Sequence, residues 1–477
     1  MFFTKKKNHK IARRPKVAIV YYIPKTNTSK YKNWSDGFTK SIALIKEDFD
    51  FSWINIENGM PSCEELNSFD FILAKCCWDS KIDIYLRSLK KITKPVGIAI
   101  SCSTFPKNKK NYHFYKVLWY ETFWYGKQLP KHPCKIHAFG IDSSVYQNKQ
   151  TEKKIDVLSI GTVTSYKRPE KIIELKGAKK IIIGDTTASD SEKIIKNLHK
   201  HNIEVRNFVS PVELTELINQ SRLVYIPCKL NGGGERALLE ARSCATHVKI
   251  EPDNPKLYEL TQSPIWDEFY YAQQLRLGIE KILQLNQDSV AATNPINSNP
   301  KLKAGRYSFH NGNLSITGDE YVTIGSFCSF GKNISIITSN HDTNYMSSQG
   351  FVYRFFFKTQ HPGEDINHKN KERSKGPVSI GNDVWIGDDV KILSGVHVGD
   401  GVCIGAGSIV TKNIPSYEIH AGVPNKKIKM RFKDDMIEYL TNLKWWYWSN
   451  TKIKRNKSLF EAQLNNSPLD IIKKLEQ

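Results

Sequence analysis

The stretch VSIGNDVWIGDDVKILSGVHVGDGVCIGAGSIV, residues 378–410, decides the fold of the last third of this chain. Read in steps of six, it sets Ile380, Ile386, Ile392, Val398, Ile404 and Val410 in one register, and Gly381, Gly387, Gly399 and Gly405 directly follow four of them. With aliphatic side chains at roughly a fifth of positions, six in register arise by chance less than about once in ten thousand. An earlier run, Ile324, Phe330 and Ile336 with Gly325 and Gly331, keeps the same step. One inward aliphatic per hexad predicts a three-sided parallel β-helix: each flat side uses one hexad, each corner needs a small or turn-capable residue, and three hexads close a coil. Between about Ser339 and Gly376 the period breaks into aromatics, a charged run and three histidines, His341, His361 and His368. Such an insertion belongs on a loop thrown out from a corner, where function concentrates.

Upstream the grammar is different. From Lys16 to about Gln284, short apolar runs alternate with longer amphipathic ones, which predicts an α/β architecture. Strands are expected at 17–23, 69–76, 96–101, 135–141, 156–161, 179–184 and 223–227, and helices at 38–47, 168–177, 190–201 and 212–221. Several strands are apolar on both faces, as buried parallel strands must be. Two nucleotide-fold-like sheets account for this much chain, parted near residues 143–154. The segment 286–303 has no apolar period and two prolines, and reads as a linker.

At 477 residues the chain is long enough for about three domains. Its 70 Lys+Arg against 48 Asp+Glu leave +22, which favours anionic partners. The lysines at 5–7, 107–110 and 369–375 are scattered through polar stretches and no nucleic-acid module is recognisable, so solvated faces, with weak membrane-surface attraction as the functional alternative, are expected. No run approaches the roughly 20 apolar residues of a membrane span, and the N-terminus lacks a secretory apolar run, so a cytoplasmic location is expected. Nine cysteines, among them Cys76, Cys77, Cys102, Cys228, Cys244, Cys328 and Cys403, show no metal spacing and read as reduced structural thiols without a metal.

Residues 375–432 closely resemble the hexapeptide-repeat acyltransferases, in particular the xenobiotic (streptogramin and chloramphenicol) acetyltransferase branch and its polysaccharide O-acetyltransferase relatives. GRYSF (305–309), YVTIGSFCSFGKNISI (321–336), SNHDTNYMSS (339–348) and LKWWYW (443–448) extend the likeness, the last being similar to that branch's C-terminal helix. The resemblance implies a left-handed β-helix over 304–430 with a helical tail at 431–477. It also implies a homotrimer, acetyl-CoA lying between subunits, and transfer of acetyl to a hydroxyl or amine. His341 matches the catalytic histidine, and neutral imidazole suits a general base near pH 7; Asp342, its neighbour, is placed to orient it. Trp385, Gly405, Ala406, Ser408, Thr411, Lys412 and Lys427 fall where that branch contacts the pantetheine arm and phosphates. Trp445, Trp446 and Trp448 are expected to pack the tail onto the coil, and His361 and His368 to lie on the surface.

A second resemblance covers DVLSIGTVTSYKRPE (156–170), LVYIP (223–227) and NGGGERALLEARSCATHVKIEPDNP (231–255), which look like the donor-binding half of a retaining GT-B glycosyltransferase. It implies an acceptor domain at 1–145, a nucleotide-sugar donor domain at 146–285 and no metal. A leaving diphosphate must be met by cations and helix-start amides. Gly161, Lys167 and Arg168, the run Gly232, Gly233 and Gly234, and the carboxylate Glu240 match that role. Thr162 replaces the family's usual Arg and Gly232 its usual first Glu, for which Glu235 is the stand-in. Asp36 and Gly37, with the aromatics Trp34, Tyr120, Trp124 and Tyr125, are acceptor-side candidates.

Together the two resemblances imply a bifunctional enzyme of surface polysaccharide biosynthesis: a glycosyltransferase joined to a sugar acetyltransferase, acting on a glycan or lipid-linked glycan. An inert trimerising coil, a sugar-binding adaptor that has lost turnover, and a nucleic-acid binder are the alternatives.

Overall fold

The computed structural model describes residues 13–23, 36–76, 81–100, 109–285, 294–296, 298, 302–364 and 373–476. Trp34, Cys77, Cys102, His368, most of the expected linker and much of the lysine runs lie outside them. The chain forms two compact units that divide near residue 286.

The first unit holds two parallel sheets. Strands β1 (Lys16–Tyr21), β2 (Asp50–Asn55), β3 (Phe71–Cys76), β4 (Val96–Ile100), β5 (Val117–Tyr120) and β6 (Lys135–His137) run in the order β2-β1-β3-β4-β5-β6. Strands β7 (Ile155–Ile160), β8 (Lys180–Ile183), β9 (Glu204–Arg206), β10 (Ser221–Ile226) and β11 (His247–Ile250) run β11-β10-β7-β8-β9. All seven expected strands are present. Four were not anticipated. Of these, β2, β9 and β11 lie outermost in the sheets or one from the edge and carry exposed polar positions that break an apolar run, whereas β5 is buried throughout and only four residues long.

Helix α1 (Gly37–Leu44) follows β1, and its N-cap Asp36 accepts from Thr39 N at 2.7 Å. Helix α2 (Glu235–Ser243) follows β10, and α3 (Glu268–Leu283) closes the unit. The last of these packs back onto the first sheet: Trp119 Nε1 donates to Gln274 O at 2.9 Å, and Arg276 pairs with Asp48 at 2.9 Å. The expected helix at 168–177 is a short 3₁₀ turn, Pro169–Glu174. Tyr120 and Tyr125 are core residues, 9% and 1% exposed, rather than loop aromatics offered to a ligand.

The second unit is the three-sided coil. Its first face carries Leu302–Ala304, Val322–Ile324, Val378–Ile380 and His397–Val398. The second carries Phe309–His310, Ser329–Phe330, Trp385–Ile386, Cys403–Ile404 and Glu418–Ala421, and the third Leu314–Thr317, Ile334–Ile337, Lys391–Leu393 and Ile409–Val410. The hexad residues stack in register, as Ile324–Ile380–Val398, Phe330–Ile386–Ile404 and Ile336–Ile392–Val410. Each is at most 4% exposed, and fully burying such a side chain stabilises by about 1.5–3 kcal/mol. Ser326 N reaches Asn382 across 56 residues, whereas Asn382 N reaches Asp400 across 18, so the ladder closes over the insertion as though it were absent.

The insertion carries helix α4 (Gly350–Phe356), and the tail begins with α5 (Asp434–Leu443). The WWYW motif lies beyond α5 rather than within it, because Lys444 turns into the left-handed region and ends the helix. Trp446 and Trp448 are nonetheless buried, and the Trp445 ring lies 4.7 Å from Phe327 of the coil, as expected of tail packing.

Candidate active site

His341 stands where the third face turns toward the first, at the mouth of the insertion. It faces a cavity of about 200 Å³ lined by Asp319, Ser339, Asn340, Asp342, Ser348 and Arg373, among others. Its Nδ1 lies 2.8 Å from the carbonyl of Ser348. A carbonyl can only accept, so Nδ1 carries a proton, and in the neutral ring the lone pair is then on Nε2. The ring is exposed, and the tautomer is the one a general base requires.

Asp342, the neighbour expected to orient His341, bonds within its own turn. It is buried, its Oδ1 accepts from Asn344 N and Nδ2 at 2.9 and 3.0 Å, and its Oδ2 lies against Gly363, where an added Cβ would come within 2.8 Å. His361 also departs from expectation: it is 3% exposed, with Nε2 2.9 Å from Ser347 O and Nδ1 accepting from Gly363 N at 2.9 Å. The only sequence signal for it was the aromatic density around it; the rings of Tyr345 and Tyr353 lie 5.1 and 4.6 Å away, edge-on.

The residues expected to hold an acyl donor divide between edges of the coil. Thr411 and Lys412 lie at the same corner as His341, two coils along, or roughly 10 Å at the usual strand spacing. Gly405, Ala406 and Ser408 lie at the opposite edge of the third face, between Cys403–Ile404 and Ile409–Val410. Trp385 is half exposed on the outside of the second face, between Ser329 and Cys403.

Two of these residues are already engaged. Ser408 is fully buried, donating to Gly405 O at 2.6 Å and accepting from Gly422 N at 3.1 Å, so its hydroxyl builds the turn instead of facing a ligand. Lys427 pairs with Glu418 at 2.7 Å. Lys412 is exposed and has no ion-pair partner among the described residues.

In the first unit, strand order reverses between β7 and β10, and ligands of open α/β sheets bind at such a point, outside the carboxyl ends of the strands. Gly161 and Lys167 follow β7, and Gly232, Gly233 and Gly234 follow β10. A Cβ on Gly161 or Gly232 would meet the Lys167 side chain at 3.7 Å, so these three residues converge. Gly233 and Gly234 take φ of 73° and 102°, which favours glycine, and Gly234 caps α2. Lys167 has no ion-pair partner among the described residues.

The other expected donor residues are occupied. Arg168 forms two bonds to Asp253, at 2.7 and 2.8 Å, and a third to Pro227 O at 2.6 Å. Glu235 and Lys256 form a pair at 2.6 Å with both side chains 2% exposed. Glu240 is buried beside Arg236, 3.4 Å away, and Tyr146. Burial drives its carboxyl above the usual range, only partly offset by Arg236 and the Tyr146 hydroxyl.

Among the described residues no His, Cys, Asp or Glu cluster could hold a metal ion, and no helix is long and apolar enough to cross a membrane. Cys63, Cys134, Cys228, Cys244, Cys328 and Cys403 are free thiols.

Comparison with known proteins gives the coil its class. The family described as bacterial transferase hexapeptide (six repeats) matches residues 377–412. A chloramphenicol acetyltransferase of Klebsiella aerogenes is 36% identical over 171 residues, covering 33% of this chain and 80% of that protein. The chain belongs to the hexapeptide-repeat transferases. Its carboxy-terminal third is an acetyltransferase domain of that family. A galactoside O-acetyltransferase of Escherichia coli K12 is 38% identical over 126 residues, covering 26% of this chain and 52% of that protein. A solved galactoside acetyltransferase in complex with coenzyme A is 31% identical, covering 30% of this chain and 65% of that one, with a TM-score of 0.23.

Proposed function

We propose that this protein transfers acetyl from acetyl-CoA to a sugar hydroxyl, with Nε2 of His341 as the general base. The observation that carries the reading is the Nδ1–H of His341 donating to Ser348 O beside a cavity, the arrangement in which the neutral ring keeps its lone pair on Nε2. As the acceptor oxygen attacks the thioester carbonyl, Nε2 takes the hydroxyl proton; as the C–S bond breaks, the imidazolium returns it to the CoA thiolate. The polar side chains along the cavity, Asp319, Asn340 and Arg373 among them, suit the hydroxyls of a sugar. Lys412, exposed and unpaired among the described residues, is positioned to meet a CoA phosphate, and the split of donor groups across two edges supports a site completed by a neighbouring copy in a trimer.

The first unit adds a second reading, that of a nucleotide-sugar glycosyltransferase of GT-B type. Lys167 at the switch point between β7 and β10, beside glycines that admit close approach, supports it. With both activities the protein would build and acetylate a surface glycan from the cytoplasmic side. The deciding experiment measures free CoA thiol with acetyl-CoA against a panel of sugars, nucleotide sugars and chloramphenicol. Release with sugars supports the reading, and release with chloramphenicol alone overturns the acceptor assignment.

A further inference from the structure

Two consecutive backbone carbonyls, those of Ser347 and Ser348, are each held by an imidazole. Ser348 O accepts from Nδ1 of His341, and Ser347 O accepts from Nε2 of His361. The His361 tautomer is fixed independently: Nδ1 accepts from Gly363 N at 2.9 Å, so the ring proton sits on Nε2 and points at Ser347. The ring has no rotational freedom to spare, since it is 3% exposed with the edges of Tyr345 and Tyr353 against it. Between the two carbonyls and the ring lies α4, whose Phe351, Phe355 and Phe356 are more than half exposed, so the arm itself is poorly anchored.

We propose that His361 is a positioning residue for acetyl transfer: by holding the Ser347 carbonyl it fixes the adjoining Ser348 carbonyl, and so the tautomer and aim of His341. This rests on the reading of His341 as the base. Fixing the Ser347 carbonyl fixes the peptide plane that ends at the Ser348 Cα, and only φ and ψ of Ser348 then separate it from the Ser348 carbonyl. A reacting group misplaced by about 1 Å can cost on the order of 100-fold in rate.

The test uses two amides that each replace one nitrogen. Glutamine at 361 can place an N–H where Nε2 is and keep the bond to Ser347, whereas asparagine reaches only the Nδ1 position and keeps the bond from Gly363. In the full-length protein, His361→Asn should lower kcat by about 10- to 100-fold with the acetyl-CoA KM within about twofold, and His361→Gln should restore kcat to within about fivefold of wild type. The reverse order would mean that the Gly363 turn is what matters, and it overturns the proposal. Equal activity in both variants, whether high or low, overturns it as well. A melting curve for each variant separates unfolding from mispositioning. His341→Ala, assayed alongside, tells the two readings apart: if it keeps full turnover the base assignment fails, and if it is inactive while the amide pattern is wrong only the role of His361 fails.

Discussion

Lys427 Nζ and Glu418 Oε1 lie 2.7 Å apart across the antiparallel hairpin of Glu418–Ala421 and Lys426–Met430. The second oxygen of Glu418 accepts from His420 Nε2 at 2.7 Å, and Asn425 Nδ2 donates to His420 Nδ1 at 2.9 Å. Burial pushes the Glu418 carboxyl up, but Lys427 and His420 outweigh it and hold the group below the usual range. On the proposed reading, Lys412, which has no such pairing among the described residues, is the lysine that meets a CoA phosphate. Lys412→Ala should raise the acetyl-CoA KM by about three- to tenfold, the loss of one charge-assisted bond, with kcat unchanged. Lys427→Ala should lower the melting temperature and leave KM near wild type. Steady-state kinetics with thermal melts decide it.

His341→Ala should reduce acetyl transfer by about 10²–10⁴-fold, the usual contribution of a positioned base. The ring is exposed, so circular dichroism and melting should not change. Thiol release at the wild-type rate would remove the base from the mechanism.

The pair Glu235 and Lys256 predicts a stability effect that its position beside the glycine run conceals. Lys256→Met leaves a carboxylate at 2% exposure without its cation, which should cost about 3–5 kcal/mol. Adding Glu235→Leu should recover most of that. A double variant no more stable than the single one would contradict the account.

Glu240 predicts a pH dependence of defined sign. Its carboxyl is raised by burial, so the stability it contributes is fully present below its unfolded pKa, about 4.3, and is lost as pH rises through the higher folded value. Glu240→Gln should therefore stabilise the first unit at pH 7 and give no advantage at pH 4. Melts at the two values are the measurement, and an advantage that persists at pH 4 would refute the burial argument.

Lys167 and Arg168 are adjacent but should behave differently. Lys167→Ala should weaken binding of a nucleoside diphosphate by about tenfold, worth roughly 1.4 kcal/mol, without a change in melting temperature. Arg168→Ala removes the pairing with Asp253 and should destabilise the fold. Calorimetric titration with uridine, guanosine and thymidine diphosphates tests both, and no binding to the wild type would leave the glycosyltransferase reading without support.

The coil was legible because each hexad sees the same surroundings: Ile380, Ile392 and Val410 answer one local rule repeated, and the structure buries all three. The buried strands at 96–101 and 156–161 were legible for a similar reason, being apolar on both faces. Strand β2 was not, since three of its six residues, Asp50, Ser52 and Trp53, are as exposed as loop positions. The side-chain partners were the least legible. Nothing local in the sequence marks Glu235 as the partner of Lys256 or Lys427 as the partner of Glu418, because those pairings depend on helix and hairpin geometry. The motif around His341 singled out the residue proposed as the base, but the proton on its Nδ1 is set by a backbone carbonyl seven positions away, and carbonyls leave no trace in side-chain patterns.

The ladder that bridges 56 residues as readily as 18 separates two inheritances. Because the cost of closing an excursion grows only with the logarithm of its length, the stacked hexads are indifferent to what is spliced between Thr338 and Val378. On the proposed reading, acceptor preference would then be open to change there as an exchangeable cassette while the stacked coil stays constant. Chimaeras carrying a relative's excursion should change which alcohol is esterified and keep the parent's melting point.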